Sequence, residues 1–490
     1  MEIVKKKFAF YKNYLISRLT FNYGLISSIG CGVAKIKGLS LAFVGQAFFV
    51  LASSNLITGL IVNLTRSSNL ALNISALLLE FSARLFVGGK VISTPYLFSL
   101  PIGDYVVGAI LDPLGSIILL GAGSNTTSLR VTAFWLVESP SVGIIFRQSV
   151  FEPLQTGLVC VDAMIPIGRG QRELILGDRY TGKTAIGVDA MINQRYEKVL
   201  CVYSSIGIKA ATVLEVFLSL SSKQATSYLT MLVATSSSSA IAQFYSAYTS
   251  ASVADYFMLF RKMACLILYD DLTRHAVSYR EIYLLLRRPP GREAYPGEIF
   301  FVHSRLLERS AMVSETIGGG SVTALPVIET LGGDVSAYIT TNVISITDGQ
   351  IFLAAGLFLS GIRPAVEVGL SVTRVGSSAQ WTGMKLVGSS YKLELAQFSE
   401  LQSFSQFSSD LGAETKRRLA RGKTLVEMLK QPNSVPVSLS KQLIILSIAG
   451  QGLLDSLSLN TIRDYITSLV SVPQWTLLFL PPRIIAKVLI

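Results

Sequence analysis

Apolar positions dominate this chain, and their spacing changes twice along it. Residues 39–65 (LSLAFVGQAFFVLASSNLITGLIVNLT) carry no charge, a run long enough to cross a bilayer. Gly45, Ser53–Asn55 and Gly59 interrupt it at strand-like intervals, and its Phe and Val residues favour strands. With the strand-and-turn unit GVAKIKG (32–38) just before it, the region predicts a small β-barrel rather than a membrane helix. From about residue 95, apolar runs alternate with helical stretches. RELIL (172–176), VLCVYSSIG (199–207), ACLILYD (264–270) and SAYITTNVISIT (336–347) read as strands of a parallel sheet covered on both faces. After about 380 the pattern turns helical, as in YKLELAQFSELQSFSQF (391–407) and KTLVEMLKQ (423–431). TSSSSA (235–240) reads as a loop, and no internal repeat is evident. The expected division is an N-terminal helix and linker over 1–24, a barrel over 25–94, an α/β domain over 95–380 and a helical bundle over 381–490.

Composition modifies this picture in three ways. Half of the residues are apolar, 15% are charged, and mean hydropathy is +0.51, which reopens the membrane reading; the Gly and Ser breaks oppose it. The net charge of +12 is compatible with nucleic acid, an anionic membrane surface or acidic partner subunits. His275 and His303 are too few for a His-based metal site, and Cys31, Cys160, Cys201 and Cys265 are too scattered for a C-x-x-C pair, so the cysteines read as reduced, buried thiols. The N-terminal MEIVKKKFAFYKNYLISRL is a poor secretory signal. Its Lys and apolar residues suggest a retained amphipathic helix over about 3–19 that docks on a partner.

GDRYTGKT (177–184) fits the phosphate-loop pattern, with the strand RELIL before it and the helical stretch TAIGVDAMINQ (184–194) after it. Gly177 and Gly182 let backbone N–H groups close round phosphate oxygens, with Asp178, Arg179, Tyr180 and Thr181 between them. Lys183 would reach the β and γ phosphates, and Thr184 would ligate Mg2+ at a helix N-terminus. A second carboxylate belongs at the end of a neighbouring apolar strand; ACLILYDD supplies Asp270, which would hold Mg2+ through water, with Asp271 as a cap or surface acid.

Four stretches carry a family resemblance. IPIGRGQRELILGDRYTGKTAIGVDAMINQ (165–194), LILYDDLTRHAVSYREIYLLLRRPPGREAYPGEIFFVHSRLLER (266–309), GGGSVTALPVIETLGGDVSAYITTNVISITDGQIFL (318–353) and GIRPAVEVGLSVTRVGSSAQ (361–380) resemble the alpha subunit of the F-type ATP synthase. The resemblance implies a β-barrel crown, a RecA-like nucleotide-binding domain and a C-terminal helical bundle. It also implies a ring alternating with beta subunits around a central-shaft gamma subunit, held at the N-terminal helix by a peripheral stalk. Its ligands would be ATP or ADP with Mg2+, and nucleic acid would not be a partner. The triphosphate would then contact Arg179, Gly182, Lys183, Thr184 and Ala185, and the adenine end Phe358, Arg363, Pro364, Gln431 and Asn433. Arg374 would act as an arginine finger in the neighbouring subunit's site, with Ser345 and Val372 beside it.

The sequence departs from the family at Tyr180 (usually Gln), Glu367 (Asn, Asp or His), Thr373 (Ser), Asn433 (Gln) and in its apolar C-terminus. One comparison bears on chemistry. The catalytic beta subunit places a Glu at the end of the strand after the phosphate-loop helix to orient water. Here that strand is followed by Ile208, Lys209 and Ala210, and Glu215 lies well inside the next helix. The expectation is a site that binds nucleotide and hardly turns it over. The competing reading is a Rho-like ring translocase, against which stands a crown without basic–aromatic surface. The apolar drift and the lack of a clear transit peptide point to an organelle-encoded subunit on the matrix side of the mitochondrial inner membrane, with the cytoplasmic side of a bacterial plasma membrane as the alternative.

Overall fold

The computed structural model describes residues 22–471, except 31, 40, 53–54, 67–71, 80–84, 121–130, 406–411 and 456. The expected N-terminal helix, Cys31 and the apolar C-terminal segment from 472 lie outside the described residues.

The uncharged N-terminal region forms strands. β1 (Tyr23–Gly30), β2 (Val33–Lys37), β3 (Gln46–Ala52), β4 (Asn55–Arg66), β5 (Leu72–Leu78) and β6 (Lys90–Leu97) close a barrel in the order β1-β2-β5-β4-β3-β6. Closure leaves no open edge, so a run apolar enough for a membrane can instead fill an interior with Ile26, Ile36, Phe48, Val50, Ile61 and Ile74. Gly45 takes a positive φ of 84° just before β3, as a turn requires. Gly59 does not interrupt a strand as expected. It sits inside β4, where a Cβ would come within 2.1 Å of the Phe48 ring, so the glycine makes room for an aromatic core residue.

The central domain is built on a nine-stranded sheet. After β7 (Ser99–Ile102), β8 (Ala109–Leu111) and β9 (Ile117–Leu120) come the short strands β10 (Ala133–Leu136), β11 (Pro153–Leu154) and β12 (Ile167–Gly168). Then follow β13 (Glu173–Gly177), β14 (Val199–Ile208), β15 (Leu229–Thr235), β16 (Ala264–Asp270), β17 (Ser321–Glu329), β18 (Gly349–Leu353) and β19 (Val372–Thr373). The sheet order is β19-β18-β13-β17-β16-β14-β15-β8-β9, parallel from β18 to β8 with an antiparallel strand at each edge. Alternate residues of β14 enter two cores. Leu200, Val202 and Ile206 meet helices Ala240–Leu259 and Leu272–Leu285, while Val199, Cys201 and Tyr203 meet helices Lys183–Asn193 and Ala210–Ser222. Burial on both faces explains why these strands read as continuous apolar runs.

One expected strand is a helix. Residues 336–347 form helix Tyr338–Ile346, with Ile339, Val343 and Ile346 buried and Thr341 and Ser345 exposed. Its β-branched residues favour a strand, but the apolar positions recur at a helical period and one face packs on helix Ile299–Leu307 and the core behind it. The C-terminal part is helical, with Tyr391–Ser405, Ala413–Met428, Leu439–Gly450 and Leu459–Ser471 as its main elements. Among the described residues no helix is long and apolar enough to cross a membrane.

Candidate nucleotide site

The phosphate loop lies where a parallel sheet presents its carboxyl ends. β13 ends at Gly177, whose missing side chain leaves room for Leu353 O at 2.8 Å and Thr181 Oγ1 at 3.0 Å from where a Cβ would stand. Tyr180 has a φ of 63° and is 89% exposed, and Gly182, at φ 92°, opens helix Lys183–Asn193. Thr181 Oγ1 donates to Asp178 O at 2.8 Å, and the Asp178 carboxylate accepts from Thr330 Oγ1 at 2.8 Å and Gly333 N at 2.9 Å. Ala185 is half-buried in the first helical turn.

Lys183 folds over the loop, its Nζ donating to Gly177 O at 2.9 Å and to Asp178 O. Burial lowers its pKa, opposed by Glu329, Asp271, Asp270 and Asp178. Thr184 Oγ1 donates to Asp270 Oδ2 at 2.8 Å, and Tyr203 Oη donates to the same oxygen at 3.0 Å. The two groups expected at the magnesium are thus in contact, and both present oxygen, the donor that Mg2+ takes. Burial raises the Asp270 pKa against the lowering effect of Thr184, Tyr203 and Lys183. Asp271 caps helix Leu272–Leu285 by accepting from Arg274 N at 2.6 Å.

Arg179, expected at the triphosphate, forms an ion pair with Glu329. Glu329 ends β17, beside β13, and its N–H donates to Thr273 Oγ1 at 2.9 Å. Sequence reasoning missed this carboxylate at the loop. The signal was available, because SVTALPVIE ends an apolar run in an acid just as ACLILYD does.

Of the residues expected at the adenine end, Phe358, Arg363, Pro364 and Gln431 come together. Arg363 lies over the Phe358 ring at 4.4 Å and precedes Pro364, and Arg363 O accepts from Gln431 N at 2.8 Å. The Gln431 amide is already engaged, accepting from Val159 N at 2.7 Å and donating to Gly157 O at 3.0 Å. Asn433 is exposed two residues further on.

Arg374 belongs to the opposite end of the sheet. β19 pairs with the start of β18 (Gly349↔Thr373), which pairs with the start of β13 (Gly349↔Glu173), whereas the loop follows Gly177. Four strand residues, about 13 Å, separate the two levels. Arg374 N donates to Asp348 O at 2.8 Å, and its exposed guanidinium makes no hydrogen bond or ion pair with any described residue. Val372 is 49% exposed on β19, and Ser345 is exposed on helix Tyr338–Ile346, its Oγ donating to Asn342 O at 2.7 Å.

Loop, carboxylate strand and helix N-terminus define a phosphate-loop nucleotide-binding protein on a parallel sheet. Residues 157–373 match the nucleotide-binding domain of the ATP synthase alpha/beta family, and residues 380–475 match the C-terminal domain of the ATP synthase alpha/beta chain. The chain belongs to that family. Membership implies ATP or ADP as the nucleotide and assembly with related subunits.

Proposed function

We propose that this chain is a non-catalytic, nucleotide-binding alpha subunit of a proton-driven F-type ATP synthase. The end of β14 carries the reading. The strand finishes at Ile208, Lys209 and Ala210 follow, and none of the three can orient a water for attack on a γ-phosphate. The other carboxylates near the loop are engaged: Asp178 by Thr330 and Gly333, Asp270 by Thr184 and Tyr203, Asp271 as a helix cap, and Glu329 by Arg179. Glu215 is exposed on helix Ala210–Ser222, whose buried residues are Val213, Val216 and Leu220.

The site is then a holder. Lys183 would exchange the carbonyls of Gly177 and Asp178 for phosphate oxygens, and Thr184, with Asp270 through water, would hold the magnesium. Bound there, the cation neutralises phosphate charge. On the opposite edge, Arg374 reaches the neighbouring catalytic subunit, where a guanidinium stabilises charge spread over the transferring phosphoryl group. Its distance from the chain's own loop and its lack of partners among the described residues support that assignment, with Val372 and Ser345 as neighbours at the same interface.

The partners of this reading are alternating beta subunits, a central-shaft gamma subunit and a peripheral-stalk subunit at residues 3–19. The complex would sit on the matrix side of the mitochondrial inner membrane or, alternatively, on the cytoplasmic side of a bacterial plasma membrane. The C-terminal domain match extends past the phosphate-loop core that the Rho-like alternative shares, and so favours the synthase reading. The test is a pair of variants in the assembled ring. Lys183→Ala should empty this chain's site and leave residual hydrolysis, while Arg374→Ala should leave every site able to bind ATP and stop turnover. Loss of all activity in an intact Lys183→Ala ring would contradict the reading.

A further inference from the structure

We propose that Gln171 and Glu173 are positioning residues for the Arg374 arm, acting through a buried amide–carboxyl pair behind β19. This rests on the reading of Arg374 as a finger in trans. The guanidinium has no partner among the described residues, so its direction is set by the backbone of residues 372–374. That backbone is held at two points. Arg374 N donates to Asp348 O, and the Asp348 carboxylate is fixed by Arg172 through N at 3.0 Å, Nε at 3.0 Å and Nη2 at 2.8 Å. The second point is a side-chain relay. Gln171 Nε2 donates to Glu173 Oε2 at 2.6 Å and to Thr373 Oγ1 at 3.0 Å, while Gln171 Oε1 accepts from Gly168 N at 2.8 Å. Thr373 Oγ1 in turn donates to Pro166 O at 3.3 Å.

Stability does not account for the relay. Gln171 and Glu173 are both 0% exposed, and among the described residues no Lys or Arg pairs with Glu173 and its Oε1 has no hydrogen-bond partner. Burial, then Asp348, pushes the Glu173 carboxyl well above its usual pKa, against the lowering effect of the Gln171 amide. An apolar residue would fill this strand position without burying an unsatisfied oxygen. What the carboxyl provides is a fixed acceptor that orients the Gln171 amide toward Thr373. Gly349 allows the approach: a Cβ there would lie 2.4 Å from Glu173 Oε2 and 2.5 Å from Val372 O, so only bare backbone separates the relay from β19. Displacing a catalytic group by about 1 Å can cost about 10²-fold in rate.

The experiment is a double-mutant cycle on the assembled ring, with turnover, KM for ATP and nucleotide occupancy of this chain's own site as readouts. Glu173→Leu should lower kcat by roughly tenfold or more and leave KM and own-site occupancy unchanged. Glu173→Gln, which keeps an acceptor for the Gln171 amide, should restore kcat. In an Arg374→Ala background, Glu173→Leu should cost nothing further, because it acts through the arginine. If rings containing Glu173→Leu do not assemble, Gln171→Met removes the donor to Thr373 itself and is carried through the same cycle. Unchanged kcat in the variant, or a loss that persists in full without Arg374, overturns the proposal. Normal turnover in Arg374→Ala alone overturns the finger reading instead, so the two failures are distinguishable.

Discussion

The two ends of β13 put their polar groups to opposite uses. At the carboxyl end, the loop's side chains are satisfied within the chain: Lys183 on loop carbonyls, Asp178 on Thr330, Thr184 on Asp270 and Arg179 on Glu329. At the amino end, Gln171, Arg172 and Asp348 build a rigid base under β19, and the residue they support, Arg374, presents a charge with no partner among the described residues. A site that is complete can hold a ligand. A charge fixed at its root and free at its tip suits work in another subunit. Under the proposed function, the two ends of one strand separate holding a nucleotide from acting on one.

The sharpest way to break this comparison is at the free tip. Arg374→Ala should lower ring hydrolysis by roughly 10³–10⁵ with ATP binding intact, and Arg374→Lys should also fail, since an ammonium lacks the planar fork. Steady-state hydrolysis beside nucleotide-binding titrations checks both. Next in size is the root of the arm. Gly349→Ala would push a methyl into Glu173 Oε2 and Val372 O, and a shift of the arm by about 1 Å should cost up to about 10²-fold in kcat with KM unchanged. At the loop end, Lys183→Ala should abolish nucleotide retention by this chain, read as bound nucleotide per ring after gel filtration, yet leave ring turnover within about one order of magnitude of normal, far less than the loss expected at Arg374.

The smallest effect should treat both ends alike. His275 and His303 lie buried beneath the sheet, with His275 Nδ1 3.2 Å from His303 Nε2 and His275 Nε2 3.2 Å from Phe244 O. Burial lowers both pKa values, to about 4 for His303, with His303 a second cause for His275. The unfolded chain therefore takes up protons first as the pH falls. The contribution of the pair is fully present above the unfolded histidine pKa of about 6.5 and is lost progressively below it, down to about 4 for His303. Replacing both residues with Gln should flatten the fall in thermal midpoint between pH 7 and pH 5 relative to the unaltered chain. An equal slope in both would show that the pair does not set it.

The loop was legible in the sequence because its chemistry is local: a glycine at each turn, a lysine and a hydroxyl residue at one helix start, and an apolar strand ending in Asp270. The barrel was legible because glycine and serine breaks contradict a membrane helix, although Gly59 proved to be a packing residue inside β4. Helix Tyr338–Ile346 was misread because its β-branched residues outweighed the period of Ile339, Val343 and Ile346. Glu329 and the Gln171–Glu173 pair were missed for another reason. Their partners lie far away in sequence, 150 residues between Arg179 and Glu329 and 202 between Gln171 and Thr373, and only the sheet order brings them together.

The central claim is that this chain's own site holds ATP without hydrolysing it. The direct measurement is phosphate release from an assembled ring whose partner subunits have disabled phosphate loops, so that ATP occupies this chain's sites alone. The account predicts that bound nucleotide is recovered as ATP, with no steady-state phosphate. Sustained phosphate release that disappears in the Lys183→Ala ring would contradict it.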